Sequence, residues 1–182
     1  DDVAAYIALA RNLRYTGATA DALYTLEHAP PAAAKNADYL LELGKVRIAA
    51  NQPGKAIPDL VRARNMQPDN WDVFATLSIA QDLTDDFVGA KESYQKAAAL
   101  SENNPAVINN MAISMALSGD LDGAIATLEK APLVARRNPQ IRQNLALFYG
   151  IKGDTETARS LARIDLDEES VRNNMAVFGQ FR

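Results

Sequence analysis

The chain has 182 residues with a formal net charge of −4 at pH 7, 23% charged residues and no cysteine. The absence of cysteine excludes disulfides, thiolate metal sites and a cysteine nucleophile, and the scattered charges lack the basic stripe of a nucleic-acid-binding protein. No apolar run in the sequence reaches the length of a transmembrane segment.

A residue that can cap a helix recurs every 34 residues. The series consists of Asp2, Asn36, Asn70, Asn104 and Asn138. Asn and Asp side chains accept hydrogen bonds from free backbone N–H groups at a helix start, and the proline that follows Asn104 and Asn138 suits the first helical position. The spacing therefore predicts five units, each beginning with a helix.

The apolar spacing and the proline positions predict eleven helices. In chain order they span residues 3–15, 20–29, 37–50, 53–66, 71–83, 87–100, 105–118, 121–131, 139–152, 155–164 and 168–178. In the first helix, Tyr6, Leu9, Ala10 and Leu13 form a stripe that we expect to be buried. Pro58 lies inside the fourth helix and predicts a kink or a late helix start.

Two more rows of residues share the 34-residue period. Small residues lie in the middle of each unit, where we expect two helices to cross closely: Ala22, Ala56, Ala90, Ala124 and Ala158. Turn-forming residues separate the two helices of each unit: Gly17, Asn51, Asp85, Gly119 and Gly153. Prolines after the second and eighth helices predict longer loops at 30–36 and 132–138.

The second unit shows the repeated pattern most fully, in Leu40, Leu43, Gly44, Ala56, Leu60, Ala63 and Pro68. This pattern resembles the tetratricopeptide repeat, which has a large apolar residue, then Leu-Gly, then Ala, then an aromatic residue or Leu, and then Pro. The resemblance implies an all-α fold, a right-handed α-α superhelix (TPR solenoid) of five helix-turn-helix repeats and a C-terminal capping helix. The implied bounds are about 3–36, 37–70, 71–104, 105–138 and 139–165 for the repeats and 166–182 for the capping helix.

The terminal helix has two interpretations. A solenoid needs an end with a polar outer surface, which Glu168, Glu169, Arg172, Asn173 and Asn174 can supply. The alternative is a docking segment for another protein.

The sequence offers no set of residues arranged for catalysis. His28 is the only histidine, and no catalytic or metal-binding partners stand at a suitable spacing from it. The acidic run that begins at Asp165 has Ser170 and Ala176 where a calcium loop needs glycine and glutamate. We therefore expect a binding module without enzymatic activity, cofactor or metal.

The tetratricopeptide resemblance implies that the first helix of each repeat lines a concave groove. In the C-terminal half these positions hold an apolar stripe with amide side chains beside it: Ile79, Leu83, Ile113, Leu117, Leu147 and Ile151, with Asn109, Asn110, Gln143 and Asn144. Amides can both donate hydrogen bonds to a peptide main chain and accept them from it. The alternative is that the apolar residues belong to the core and the amides are solvated.

The N-terminal half of the groove is polar instead. Its predicted residues are Arg11, Arg14, Tyr15, Asp38, Lys45 and Asp72. Asn110 and Asn144 match one position of the tetratricopeptide subclass that grips chaperone C-termini, but the adjacent repeats lack the cations that this subclass uses.

Two segments, residues 5–17 and 142–153, resemble a narrower family, the TadD tetratricopeptide lipoproteins of the bacterial Tad (Flp) pilus assembly system. Residues that follow the second segment extend the resemblance: Ala158, Arg159, Ala162, Arg163, Asp165, Leu166, Asn173 and Asn174. The family implies a periplasmic, pilotin-like protein that is anchored in the outer membrane through an upstream lipidated cysteine and helps the pilus secretin to assemble. The partner would be the secretin or another pilus assembly component.

The start at Asp1, without an initiator methionine, favours an upstream targeting segment that has been removed. The competing interpretation is a cytosolic tetratricopeptide adaptor or co-chaperone that binds a peptide or helix in its concave groove, and a third is a regulatory module of an enzyme.

Overall fold

The computed structural model describes residues 2–178 and 180, and all regular secondary structure in this part of the chain is helical. The prediction of an all-α protein built from helix pairs is confirmed. The chain divides into two compact units, with the boundary after Leu100.

The first unit contains three helix pairs. Its helices are α1 (Val3–Tyr15), α2 (Thr19–Glu27), a 3-10 helix (Pro31–Lys35), α3 (Ala37–Ala49), α4 (Pro53–Met66), α5 (Trp71–Asp82) and α6 (Phe87–Leu100). Helix α1 packs on α2, α3 on α4 and α5 on α6, while α3 also contacts α1, α2 and α5. The central helix α3 is accordingly the most buried one of the unit.

The second unit contains two helix pairs and the terminal helix. Its helices are α7 (Pro105–Leu117), α8 (Leu121–Glu129), α9 (Leu133–Arg136), α10 (Pro139–Lys152), α11 (Thr155–Ala162) and α12 (Glu168–Phe178). Helix α10 contacts α7, α8, α9, α11 and α12. It therefore has the central place in this unit that α3 has in the first.

The five predicted capping residues all cap. The side chains of Asp2, Asn36, Asn70, Asn104 and Asn138 each accept a hydrogen bond from a backbone N–H in the first helical turn, at 2.9–3.1 Å. Replacing such a cap by Ala typically costs about 1 kcal/mol, so the 34-residue series contributes directly to where the helices begin.

The small-residue row is fully buried. Ala22, Ala56, Ala90, Ala124 and Ala158 each have 0% exposure. Gly44 shows how closely two helices approach, because a Cβ at this position would lie 2.5 Å from Cδ2 of Leu60 on the partner helix. A larger residue at such a position would overpack the helix pair.

The residues between the two helices of each repeat adopt left-handed backbone conformations. The φ angles are +81° at Gly17, +57° at Asn51, +61° at Asp85, +91° at Gly119 and +98° at Gly153. Gly, Asn and Asp tolerate this region better than other residues do, which explains why the sequence uses them here.

Three local predictions differ from the structure. Leu9 is 53% exposed rather than buried. The segments 30–36 and 132–138 are not irregular loops, since each holds a short helix. Helix α4 begins at Pro53 and runs through Pro58, so the late start is wrong.

Among the described residues, no helix is both long and apolar enough to cross a membrane.

Candidate partner-binding surfaces

The second unit has an apolar concavity between α7 and α10. It has a volume of about 360 Å³ and is lined by Ile113, Ala116, Leu117, Asn144, Leu147, Phe148 and Ile151. Residues four apart lie on the same face of a helix, and this spacing places Ile113 with Leu117 and Leu147 with Ile151. Leu117 is 67% exposed. We call this surface the apolar concavity.

An amide-rich concavity of about 420 Å³ adjoins it, and Asn109, Ile113, Pro139, Gln140, Gln143 and Asn144 line it. Nδ2 of Asn144 donates to Oδ1 of Asn109 at 2.7 Å, and Nε2 of Gln143 donates to Oδ2 of Asp165 at 3.2 Å. These bonds fix both amides. Asn110 is half-buried and lies outside the lining of both concavities.

None of the described residues that line these two concavities is charged. A surface of this kind suits an apolar or neutral ligand segment, since a charged side chain would lose its hydration there without gaining a partner.

An ion pair and an aromatic contact hold the wall formed by α10. Nε of Arg142 donates to Oδ2 of Asp165 at 2.8 Å, and Nη2 forms a second bond to Oδ1. The hydrogen bonds from Arg142 hold the pKa of Asp165 below its ordinary value. On α12, Val171 is 1% exposed. Phe178 lies directly against Gly150 of α10, since a Cβ added to Gly150 would be 2.4 Å from Cδ2 of Phe178. The contacts of α12 thus support the helix that carries Leu147 and Ile151.

The first unit has a concavity of a different character. It measures about 270 Å³ and is lined by Arg14, Lys45, Ile48, Asp72, Ala75, Thr76 and Ile79. Nζ of Lys45 lies 2.5 Å from Oδ2 of Asp72, and the Thr76 hydroxyl donates to the Asp72 carbonyl at 2.7 Å. Charged side chains therefore line this surface, and two of them form an ion pair.

Glu42 is a functional candidate that the sequence prediction missed. Its side chain is only 1% exposed and accepts hydrogen bonds from Nε of Arg11 at 3.2 Å and from Nε of Arg14 at 2.8 Å. The guanidinium of Arg14 also lies over the Tyr15 ring, with 4.6 Å from Cζ to the ring centroid. Glu42 occupies a groove-facing position of the second repeat, and this position was the one sequence feature that could have identified it. The sequence does not show that the carboxylate is buried, because its partners Arg11 and Arg14 lie on another helix.

The remaining predicted groove residues are distributed as follows. Ile79 lines the concavity of the first unit and not that of the second. Leu83 is the C-cap of α5 and is 55% exposed. Asp38 is exposed near the start of α3 and accepts a hydrogen bond from Nε2 of Gln67 at 3.1 Å. The residues of the predicted apolar stripe therefore belong to two units, with Ile79 and Leu83 in the first and the others in the second.

His28 has a local structural environment. Its ring stacks on Tyr24 with 3.8 Å between centroids, and Nδ1 lies 2.9 Å from the Tyr24 carbonyl oxygen. Within the part of the chain that the structure describes, no three acidic or histidine side chains gather as a metal site would require.

Stacked helix pairs with concave surfaces define the class of α-helical repeat scaffolds. Within that class, residues 83–147 match the family model of the tetratricopeptide repeat. No curated protein matches the sequence.

Several solved structures share the fold. TTC0263, a thermophilic TPR protein of Thermus thermophilus, has 19% identity and a TM-score of 0.76, with 97% of this chain and 98% of that chain covered. MamA has 20% identity and a TM-score of 0.71, with 94% of each chain covered. Pseudomonas aeruginosa pilF has 17% identity and a TM-score of 0.76, with 98% of this chain and 89% of that chain covered. The fold is that of a tetratricopeptide-repeat protein.

Proposed function

We propose that the protein is a non-catalytic scaffold of Tad (Flp) pilus assembly whose second unit binds an apolar segment of a protein partner. The observation that carries this proposal is the apolar concavity, in which uncharged side chains from α7 and α10 surround an open surface. The partner is the secretin or another component of the pilus assembly machinery.

The exposure of Leu117 argues for binding rather than core packing. The core of the same unit is already formed by residues that are almost completely buried, including Ala112, Leu128 and Ile141. A Leu side chain that is 67% exposed in the lining of an apolar concavity gains free energy when a ligand covers it. Full burial of such a side chain is worth about 1.5–3 kcal/mol.

The amide-rich concavity adds directional contacts. Because Asn144 donates to Asn109, its side chain is oriented before a ligand arrives. Its carbonyl oxygen can accept an N–H from a peptide main chain. One such contact contributes about 0.5–1.5 kcal/mol, so apolar burial supplies the larger part of the affinity.

The assignment to pilus assembly is supported by the resemblance of residues 5–17 and 142–153 to the TadD family. The second of these segments lies almost entirely within α10, the helix that carries one wall of the apolar concavity. The fold similarity to P. aeruginosa pilF is compatible with this assignment. The proposal places the protein in the periplasm, anchored to the outer membrane by a lipidated cysteine upstream of the sequence.

A pull-down from a native extract, followed by affinity measurement with the purified partner, tests both parts. We expect recovery of a secretin subunit or another pilus component, and recovery of cytosolic chaperones alone would favour the adaptor interpretation. Leu117→Ser should weaken binding by at least about tenfold, the equivalent of 1.4 kcal/mol.

The matched control is Leu133→Ser, since Leu133 is 62% exposed on α9 in the same unit and lies outside the concavity. The control should leave affinity unchanged, and circular dichroism of both variants should match the parent. If Leu117→Ser unfolds the chain, the residue belongs to the core. If binding survives Leu117→Ser but is lost on removal of 166–182, the terminal helix is the docking site.

A further inference from the structure

Two guanidinium groups converge on one buried carboxylate in the first unit. Glu42 accepts from Nε of both Arg11 and Arg14, one bond on each oxygen. A buried carboxylate is costly unless it is paired and hydrogen-bonded, so these two bonds hold the three side chains together. One negative charge faces two positive charges, which leaves a local excess of one positive charge.

The outer edges of the two guanidinium groups are accessible to different degrees, since the Arg14 side chain is only 19% exposed. Both bonds to Glu42 use Nε, and among the described residues no carboxylate accepts a hydrogen bond from an Nη atom of either arginine. The Arg11 side chain is 52% exposed. A guanidinium fork binds carboxylates through paired donors, and here two forks are held side by side.

Among the described residues, no carboxylate other than Glu42 forms a salt bridge with Arg11 or Arg14. Lys45 and Asp72 pair with each other, and Asp38 keeps its negative charge beside the neutral Gln67. Tyr15 places a ring that is 75% exposed beside Arg14. Arg and Tyr are the residue types that dominate binding hot spots, and the two occur together here on one surface.

We infer that Arg11, Arg14 and Tyr15 form a site for an acidic side chain of a partner polypeptide, with Glu42 as the residue that positions both arginines. The ligand carboxylate binds the Nη donors, and the Tyr15 ring covers the aliphatic part of the acidic residue. This site is additional to the apolar concavity, and its chemistry selects for charge rather than for apolar area.

The test uses the whole chain and a synthetic peptide of six glutamates with blocked ends, with the equivalent glutamine peptide as the uncharged probe. The readout is NMR of the arginine Nε–Hε signals. We expect the glutamate peptide to shift the signals of Arg11 and Arg14, the glutamine peptide to shift neither, and the effect to weaken as salt screens the charges.

Arg11→Gln should lower the affinity for the glutamate peptide about fivefold, the upper range for one exposed ion pair. Arg14 remains to pair with Glu42 in this variant. The control is Arg172→Gln, which makes the same charge change at an exposed position of α12 and should leave the affinity unchanged. An equal loss in both variants would mean that the peptide responds to net charge, and the site would be wrong.

Two further measurements sharpen the result. Free glutarate that shifts the same signals with the affinity of the peptide would assign the site to small dicarboxylates and overturn the polypeptide ligand. Glu42→Gln raises the local positive charge, so charge attraction alone predicts tighter peptide binding, whereas loss of positioning predicts weaker binding. Tighter binding would remove Glu42 from its proposed role, and if this variant fails to fold, the Arg11 and Arg172 pair still decides the site.

The inference can fail independently of the proposed function. Leu117→Ser leaves the first unit untouched and should not change binding of the glutamate peptide.

Discussion

At the residue scale, the effect of a glycine on the free energy of unfolding depends on whether it lies in a left-handed turn or in a helix. Gly119 has a φ of +91°, whereas Gly54 lies in the first turn of α4 with ordinary helical backbone and open space around its Cα. An L-residue in the left-handed region costs about 1–2 kcal/mol. Replacing a helical glycine by Ala raises the free energy of unfolding by about 0.4–1 kcal/mol, because the unfolded chain loses conformational freedom.

The same substitution should therefore have opposite effects at the two positions. We expect Gly119→Ala to lower the free energy of unfolding by about 1–2 kcal/mol and Gly54→Ala to raise it by up to about 1 kcal/mol. Urea denaturation followed by circular dichroism measures both. Two changes of the same sign would contradict the turn assignment.

The caps and turns could be predicted from the sequence because each depends on local backbone geometry, and the buried small residues could be predicted because the helix crossings recur at the same 34-residue interval. Asn104, for example, needs only the helix that follows it in order to act as a cap. The pairing of Glu42 with Arg11 and Arg14 joins residues 31 and 28 positions apart, respectively. Periodicity assigns such residues to a groove but does not say whether they face a ligand or one another.

At the element scale, a pH-sensitive contact joins α10 to the turn that precedes α12. The Arg142 and Asp165 side chains are 17% and 15% exposed, and their hydrogen bonds depress the pKa of Asp165. For a carboxyl group with a folded-state pKa below its unfolded value, the stabilisation is present above the unfolded pKa, about 3.9 for Asp. It is lost as pH falls through the folded-state pKa.

We therefore expect α12 to loosen from α10 and α11 below about pH 4. The backbone amide signals of residues 168–178 in NMR spectra recorded between pH 7 and pH 2 should report this change. Asp165→Asn should reduce this pH dependence without abolishing it, because hydrogen bonds also depress the pKa values of Asp167 and Glu168 at the start of α12. The variant should cost about 1.5–3 kcal/mol at neutral pH, the usual value for a hydrogen bond to a charged group. Unchanged pH dependence in the variant would show that another group controls the transition.

The site itself was only partly predictable at this scale. Counting along the repeat identified Ile113, Leu117, Leu147 and Ile151, which do line one concavity. Phe148 was not among the predicted groove residues, and it forms part of the lining although it is only 3% exposed. Whether these residues bind a partner stays a prediction.

At the scale of the whole molecule, each unit has a hydrophobic core of its own. The core cluster of the first unit lies entirely within residues 3–80, and that of the second begins at Ile108. A fragment of about 100 residues is large enough to form an independent domain. We expect residues 1–100 to be helical by circular dichroism and to unfold in a single cooperative thermal transition. A fragment without cooperative unfolding would mean that the first unit depends on the second.

The short helices at 31–35 and 133–136 lie 102 residues apart and occur where the preceding helix is short. Helices α2 and α8 have 9 residues each, whereas α4 and α6 have 14. The second helix of these two repeats is shorter, and the residues that follow it form the extra short helix. One alanine in each short helix is buried, Ala33 at 1% and Ala135 at 2% exposure. Because the period stays at 34 through both seven-residue segments, 30–36 and 132–138, we expect their exposed positions to accept a new epitope or ligand sequence without a shift in the register of any repeat.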